Sequence, residues 1–76
     1  MARAYVLIET AIGKTPSVVH ALRQIPGVKA ADAITGPYDV IAIIEAEDAS
    51  AVGQITMRHL HNTEGVNRTM TCFVVD

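Results

Sequence analysis

The chain has no tryptophan, one phenylalanine and two tyrosines among its 76 residues. Its core must therefore be built from aliphatic side chains. A single cysteine, Cys72, excludes an intrachain disulfide and any metal site made of paired thiolates. Charged residues are 18% of the sequence, below the ~25% usual in globular domains. Six Lys and Arg stand against eight Asp and Glu, for a net charge of −2. The basic residues Arg3, Lys14, Arg23, Lys29, Arg58 and Arg68 are scattered, so the electrostatic footprint of a nucleic-acid binder is missing. No apolar stretch approaches the ~20 residues of a membrane span. The first apolar run, Ala4 to Ile8, ends at Glu9, too short for the apolar region of a secretory signal. A soluble, cytoplasmic protein with no membrane partner is expected. Asn67-Arg68-Thr69 matches the glycosylation acceptor pattern, which without a secretory signal is a chance match.

Half of the residues are hydrophobic. A compact monomer of this size buries only about 60% of the surface its unfolded chain exposes. A small domain has much surface to cover, and this one has few polar groups to cover it with. Surface hidden in an oligomer is the expected solution.

Ala4 to Ile8 is short and β-rich, the pattern of a buried strand. Thr15-Pro16 follows as an N-cap and a proline at the first helical position. Val18, Val19, Ala21, Leu22 and Ile25 then share one helical face, with His20, Arg23 and Gln24 opposite. Pro26-Gly27 stops that helix. A second strand runs from Val28 to Thr35, with Val28, Ala30, Asp32 and Ile34 on one side of its alternation. Gly36-Pro37 signals a turn, and Val40 to Ile44 is a third, strongly apolar strand, so a hairpin is expected. Asp48 can cap a second helix over Ala49 to His61. Its inner stripe would hold Ala49, Val52, Ile55, Thr56, His59 and Leu60. After a loop at Asn62 to Gly65, Val66 to Val75 forms the last strand.

With right-handed crossovers, this order of strand, helix, strand, strand, helix, strand gives an α+β, ferredoxin-like βαββαβ sandwich: a four-stranded antiparallel sheet with both helices on one face. A sheet with one wet face should alternate apolar and polar residues. The first and third strands do not. Tyr5, Leu7, Ile41 and Ile43 fall on one face while Val6, Ile8, Val40, Ala42 and Ile44 fall on the other. A second copy packing sheet to sheet would cover the spare face, which predicts a homodimer at least.

Candidate chemistry is sparse. Gly13-Lys14-Thr15 shares the end of a phosphate-binding loop, but Ile8 stands where its first glycine belongs. His59 and His61 point about 200° apart on a helix and cannot chelate together. His59 is expected to pack in the apolar stripe, and His20 to face solvent. Cys72 shares a strand face with Met70 and Val74, with no base identifiable beside it. Glu9, Glu45 and Glu47 sit at strand ends. Asp39 closes the Gly36-Pro37-Tyr38-Asp39 turn, where it is expected to accept backbone N–H bonds and, compatibly with that, to line a small-molecule site. No catalytic residue, metal or cofactor is expected.

Three segments carry a resemblance: Ile25-Pro26-Gly27-Val28, Thr35-Gly36-Pro37-Tyr38-Asp39-Val40, and Gly65-Val66-Asn67-Arg68-Thr69-Met70-Thr71. Together they resemble the effector-binding (RAM) domain of the Lrp/AsnC transcription regulators, over essentially the whole of residues 1–76. The resemblance implies one ligand-binding domain of ferredoxin-like fold. It implies pairing through the sheets as a dimeric α/β barrel, and assembly of dimers into octamers or similar rings. Amino-acid effectors would bind in clefts between dimers. The matching positions are Gly36, Tyr38 and Asp39 in the turn and Thr69 and Thr71 in the last strand. Asp39 would accept an ammonium, Gly36 would allow close backbone approach, the threonine hydroxyls would donate to a carboxylate, and Tyr38 would sort the ligand's side chain.

Regulators of this family carry a helix-turn-helix before the module. Here the chain starts on the first strand, so no DNA-binding domain and no direct contact with nucleic acid are expected. A stand-alone, non-catalytic sensor is the leading expectation, acting by itself or by mixing with full-length regulators. Two other classes remain open: a purely structural oligomerisation module, and a small cofactor-free enzyme of the dimeric α/β-barrel type, which would need positioned His, Asn, Trp or carboxylate groups in one pocket.

Overall fold

A computed structural model describes residues 1–75 of the chain. Its elements are β1 (Ala2–Thr10), α1 (Thr15–Leu22), β2 (Val28–Ala33), β3 (Val40–Ala46), α2 (Ala49–Ile55), which runs on into a π-helical turn at Thr56–Leu60, and β4 (Val66–Phe73). The four strands form one sheet in the order β2-β3-β1-β4, and every neighbouring pair is antiparallel. This is the expected ferredoxin-like sandwich. No helix among the described residues is long and apolar enough to cross a membrane.

The core lies on one face of the sheet. Ala4, Val6 and Ile8 of β1 and Val40, Ala42 and Ile44 of β3 are fully buried there against Val18 and Leu22 of α1, Val52 of α2 and Leu60 of the π turn. The other face carries no helix. Tyr5 pairs with Ile43 and Leu7 with Ile41, and these four apolar side chains remain partly exposed beside Met70 and Cys72 of β4.

Several boundaries move for identifiable reasons. β1 is longer than the apolar run, because backbone pairing with β3 and β4 continues past the hydrophobic residues. Lys14, not Thr15, is the N-cap of α1, with Pro16 in the first turn. The Thr15 hydroxyl instead meets Thr10 Oγ1 at 2.7 Å. α1 ends before Ile25, which still packs on the core from the following turn. In β2, Val28 pairs with Ile44 but Ala30 with Ile43, leaving Lys29 as the extra residue of a bulge. A one-residue slip moves every later side chain to the other face. Ala31 is therefore the buried residue, Asp32 is exposed, and β2 stops at Ala33 rather than Thr35.

The second helix departs most. Asp48 caps it as expected, accepting from Ala51 N at 2.8 Å. After Ile55 the helix widens, and His61 N bonds the Thr56 carbonyl at 3.0 Å, five residues back. The Thr56 hydroxyl donates to the Val52 carbonyl at 3.1 Å, the kind of side-chain competition that distorts a helical ladder. Val52, Thr56 and Leu60 are all buried. A wider turn keeps that four-residue spacing in line better than 3.6 residues per turn does. The same widening removes the rotation that would bring His59 inward, so His59 is exposed, as is Ala49.

Ile44 is among the largest fully buried side chains. Ile44→Ala should lower the unfolding free energy by about 2–5 kcal/mol, read as a shifted midpoint in urea. An unchanged midpoint would place the core elsewhere.

Candidate functional site

The β2–β3 connection and the first half of β4 lie at the same end of the sheet. Ile8 of β1 pairs with Val40 on one side and with Thr69 on the other, so the two segments stand about 10 Å apart, two strand spacings. Gly36 sits exposed at the tip of the connection with φ +145°, in open space. Only glycine adopts such a backbone conformation readily, and the absence of neighbouring atoms leaves room for another molecule to approach the main chain.

Asp39 is held from both ends. Its N–H donates to the Ile8 carbonyl at 2.9 Å. Its carboxylate Oδ2 accepts the Thr10 N–H at 2.9 Å and lies 3.3 Å from the Thr10 hydroxyl, which in turn contacts Thr15. The acceptor role foreseen for Asp39 is thus partly filled by backbone, although the N–H comes from β1 and not from its own turn. Asp39 Oδ1 accepts no hydrogen bond among the described residues. The Thr10–Thr15 link ties the same corner to the start of α1.

Tyr38 spans the central strand. Its hydroxyl donates to Met70 Sδ at 3.9 Å, and Met70 pairs with Leu7 on the helix-free face. Thr69 and Thr71 pair with Ile8 and Val6, whose side chains lie on the helix face. Gly36, Tyr38, Asp39 and Thr69 thus gather at one end of the molecule, with Thr71 midway along the sheet opposite Val6, but Tyr38 and the two threonines address opposite faces of the sheet. Within one chain they do not line a common cavity.

One contact was not anticipated: His61 Nε2 lies 2.9 Å from Thr69 Oγ1. Around it is a hollow of about 340 Å³ lined by His61, Val66, Asn67, Arg68 and Thr69. The loop beneath is tightly built. Asn62 Nδ2 donates to the Arg58 carbonyl at 2.9 Å, and Thr63 Oγ1 to the His59 carbonyl at 2.7 Å, which occupies carbonyls a helix end would leave open. At Gly65 (φ +95°) an added Cβ would stand 2.8 Å from Lys14 Cβ, so the loop and α1 meet only because this residue has no side chain. The His61–Thr69 pair was hidden from sequence because its geometry depends on the π turn. Cys72 is exposed on the helix-free face, and no group of three or more His, Cys, Asp or Glu is arranged to hold a metal among the described residues.

A helix-backed sheet with a bare apolar face and a polar hollow beside the start of β4 defines a small ligand-binding or assembly module. The comparisons make it specific. Residues 3–76 match the model of the Lrp/AsnC ligand binding domain, and the chain belongs to that family. The crystal structure of TTHA0845 from Thermus thermophilus superposes with a TM-score of 0.95 at 28% identity, over 100% of this chain and 95% of that one. The L-Met complex of the transcriptional regulator NMB0573 from Neisseria meningitidis shares the fold (TM-score 0.87, 19% identity, 99% of this chain and 50% of that one). A homocitrate synthase of Sulfurisphaera tokodaii is 36% identical over 61 residues, 80% of this chain. The chain corresponds to only 13% of that enzyme's length.

Removing the Asp39 carboxylate leaves the Thr10 N–H, in a residue only 9% exposed, without its partner. Asp39→Ala should cost about 1–3 kcal/mol in urea unfolding, while Asp39→Asn, which keeps a carbonyl acceptor, should cost clearly less. Equal stability of Asp39→Ala and wild type would show that the carboxylate does not hold this corner.

Proposed function

We propose that the chain is a non-catalytic, self-associating module that binds a small amino-acid effector and works in the cytoplasm, by itself or within assemblies of full-length regulators. The observation that carries this is the ligand-binding family match across residues 3–76. The bound L-Met of the structurally similar regulator supports an amino acid as the class of ligand. A related segment within a homocitrate synthase fits a sensing role beside an activity of another kind.

Dimerisation uses the helix-free face. Tyr5, Leu7, Ile41, Ile43 and Met70 form an apolar surface there, and burying such surface contributes about 25 cal/mol per Å². Dimers then meet along their rims, in an octamer or a similar ring, where Gly36, Tyr38 and Asp39 of one rim and Thr69 and Thr71 of another close around the effector. This accounts for residues that address opposite faces within one chain, since a shared cavity needs a second copy. Asp39 Oδ1 accepts the ligand's ammonium while Oδ2 keeps Thr10. One observation favours a purely structural module instead: the strongest contacts of Asp39 are internal.

A thermal-shift panel of the natural amino acids at millimolar concentration separates the two. A ligand at 100 times its Kd adds about 2.7 kcal/mol, so a stabilisation confined to a few amino acids is expected. It should be lost in Asp39→Asn when measured against that variant's own melting temperature. A flat panel would leave the structural module. Ile43→Glu should convert the assembly to monomers in light scattering, and an unchanged mass would exclude the helix-free face as the interface.

A further inference from the structure

We propose that two copies joined through the helix-free face are locked by an ion pair, made twice by symmetry, between Arg68 at the β4 edge of one copy and Asp32 at the β2 edge of the other. The inference rests on the dimerisation reading above. It deepens that reading by naming how the two sheets are turned and which chains this one accepts as a partner.

The helix-free face carries one charge on each of its edge strands, and the two are of opposite sign. β2 and β4 are the edges of the sheet. Asp32 pairs with Ile41 and Arg68 with Glu9, so both stand on the face that holds Tyr5, Leu7, Ile41 and Ile43. Neither is well satisfied within its own chain. Arg68 is exposed and forms no ion pair among the described residues, even with Glu9 beside it. The Asp32 side chain is 66% exposed and meets Arg23 Nη2 only at 3.5 Å, a long contact.

Symmetry brings these charges together. Two copies that bury the same face are related by a two-fold axis lying between the sheets and parallel to them. With that axis along the strands, equal heights of the two sheets meet, and β4 of each copy lies beside β2 of the other. Asp32 stands in the row of Leu7 and Met70, and Arg68 in the row of Glu9. The two rows are two residues apart, about 6.6 Å along a strand, a step that the long arginine side chain covers. With the axis across the strands, Arg68 would lie against the other copy's β4, which contains no acidic residue. The first arrangement also suits the far end of the face, where Glu45 of β3 comes opposite Arg3 of β1 in the second copy and the charges alternate.

Side chains rather than backbone make this seam. Arg23 Nε donates to the Ala31 carbonyl at 2.9 Å, so an acceptor of the β2 edge is already occupied. The bulge at Lys29 interrupts the same strand, and bulges and charges are the usual means of closing an edge to strand pairing. The ion pairs then take over the setting of register at the border of an apolar band. Charges in that position decide orientation and partner more than they add affinity. A longer relative can replace the second copy only if it presents an acid opposite Arg68 and a base opposite Asp32.

Charge reversal tests this with the whole chain. Asp32→Arg and Arg68→Asp each place like charges in both seams, and each should weaken self-association about tenfold in sedimentation experiments at low salt. Mixing the two variants restores opposite charges in both seams, so heterodimers should outnumber the two homodimers together in native mass spectra. At about 1 M salt, where the screening length is about 3 Å, the variants should mix at random. Dispersed 1H–15N spectra confirm that each variant is folded. Self-association equal to wild type, random mixing at low salt, or a preference that survives high salt would overturn the ion pair. If Ile43→Glu gives monomers but the reversal variants mix at random, the helix-free interface stands and the Arg68–Asp32 seam falls. If the variants select each other while Ile43→Glu keeps the wild-type mass, the ion pair stands and the helix-free face falls.

Discussion

Two helices can cover one face of a four-stranded sheet and no more. In this chain the two central strands, β1 and β3, are apolar on both faces, and that mismatch between supply and demand shapes the rest of the molecule. The inner set, from Ala4 and Val6 through Ile44, is closed off completely by Val18, Leu22, Val52 and Leu60. The outer set is left with Tyr5, Leu7, Ile41 and Ile43 half-covered. Charged groups border that face toward its ends, at Arg3 with Glu45 and at Glu9 opposite Arg68, and along its β2 edge at Asp32, opposite Ile41. An apolar band bounded by charge is suited to a second copy of itself, which is why assembly and ligand binding belong to one proposal.

The second organising feature is the corner where β1, β3 and α1 meet. Asp39 joins the end of β1 through the Thr10 N–H, and Thr10 joins the start of α1 through Thr15. A turn bearing an exposed Gly36 and a tyrosine is thereby anchored to a central strand of the sheet. Positioning a binding residue on a rigid element reduces the ordering cost when a ligand arrives. The internal bonds of Asp39 serve a structural module and a binding one alike, since the oxygen used internally fixes the direction of the other.

How far the residues could be read ahead of the fold varies along the chain. The inward faces of β1, β3 and α1 follow from periodicity alone, because burial selects aliphatic side chains at fixed spacing and nothing interrupts the pattern. The alternation of β2 misleads after Lys29, since a bulge leaves no mark in an alanine-rich run such as Ala30-Ala31-Asp32-Ala33. His59 misleads for a related reason. Its seven-residue distance from Val52 places it inward on a regular helix, and only the π turn sends it out to solvent. At the candidate site, Gly36, Tyr38 and Asp39 stand out as a turn with unusual chemistry, whereas Thr10 and His61 become meaningful only through the partners that folding brings them.

Length, aliphatic patterning and the order of elements were enough to determine the ferredoxin-like class and the two-faced character of the sheet. These depend on the period of the chain, which is a local property. The three motif segments were enough to mark the family. Tertiary structure alone decided which atoms the site residues touch: that Asp39 gives one oxygen to β1, that Tyr38 and the threonines face opposite ways, and that His61 reaches Thr69. Each of these depends on a bulge, a widened turn or a cross-strand register. Such features displace a side chain by one residue's rotation at almost no cost in pattern, so the sequence carries little record of them.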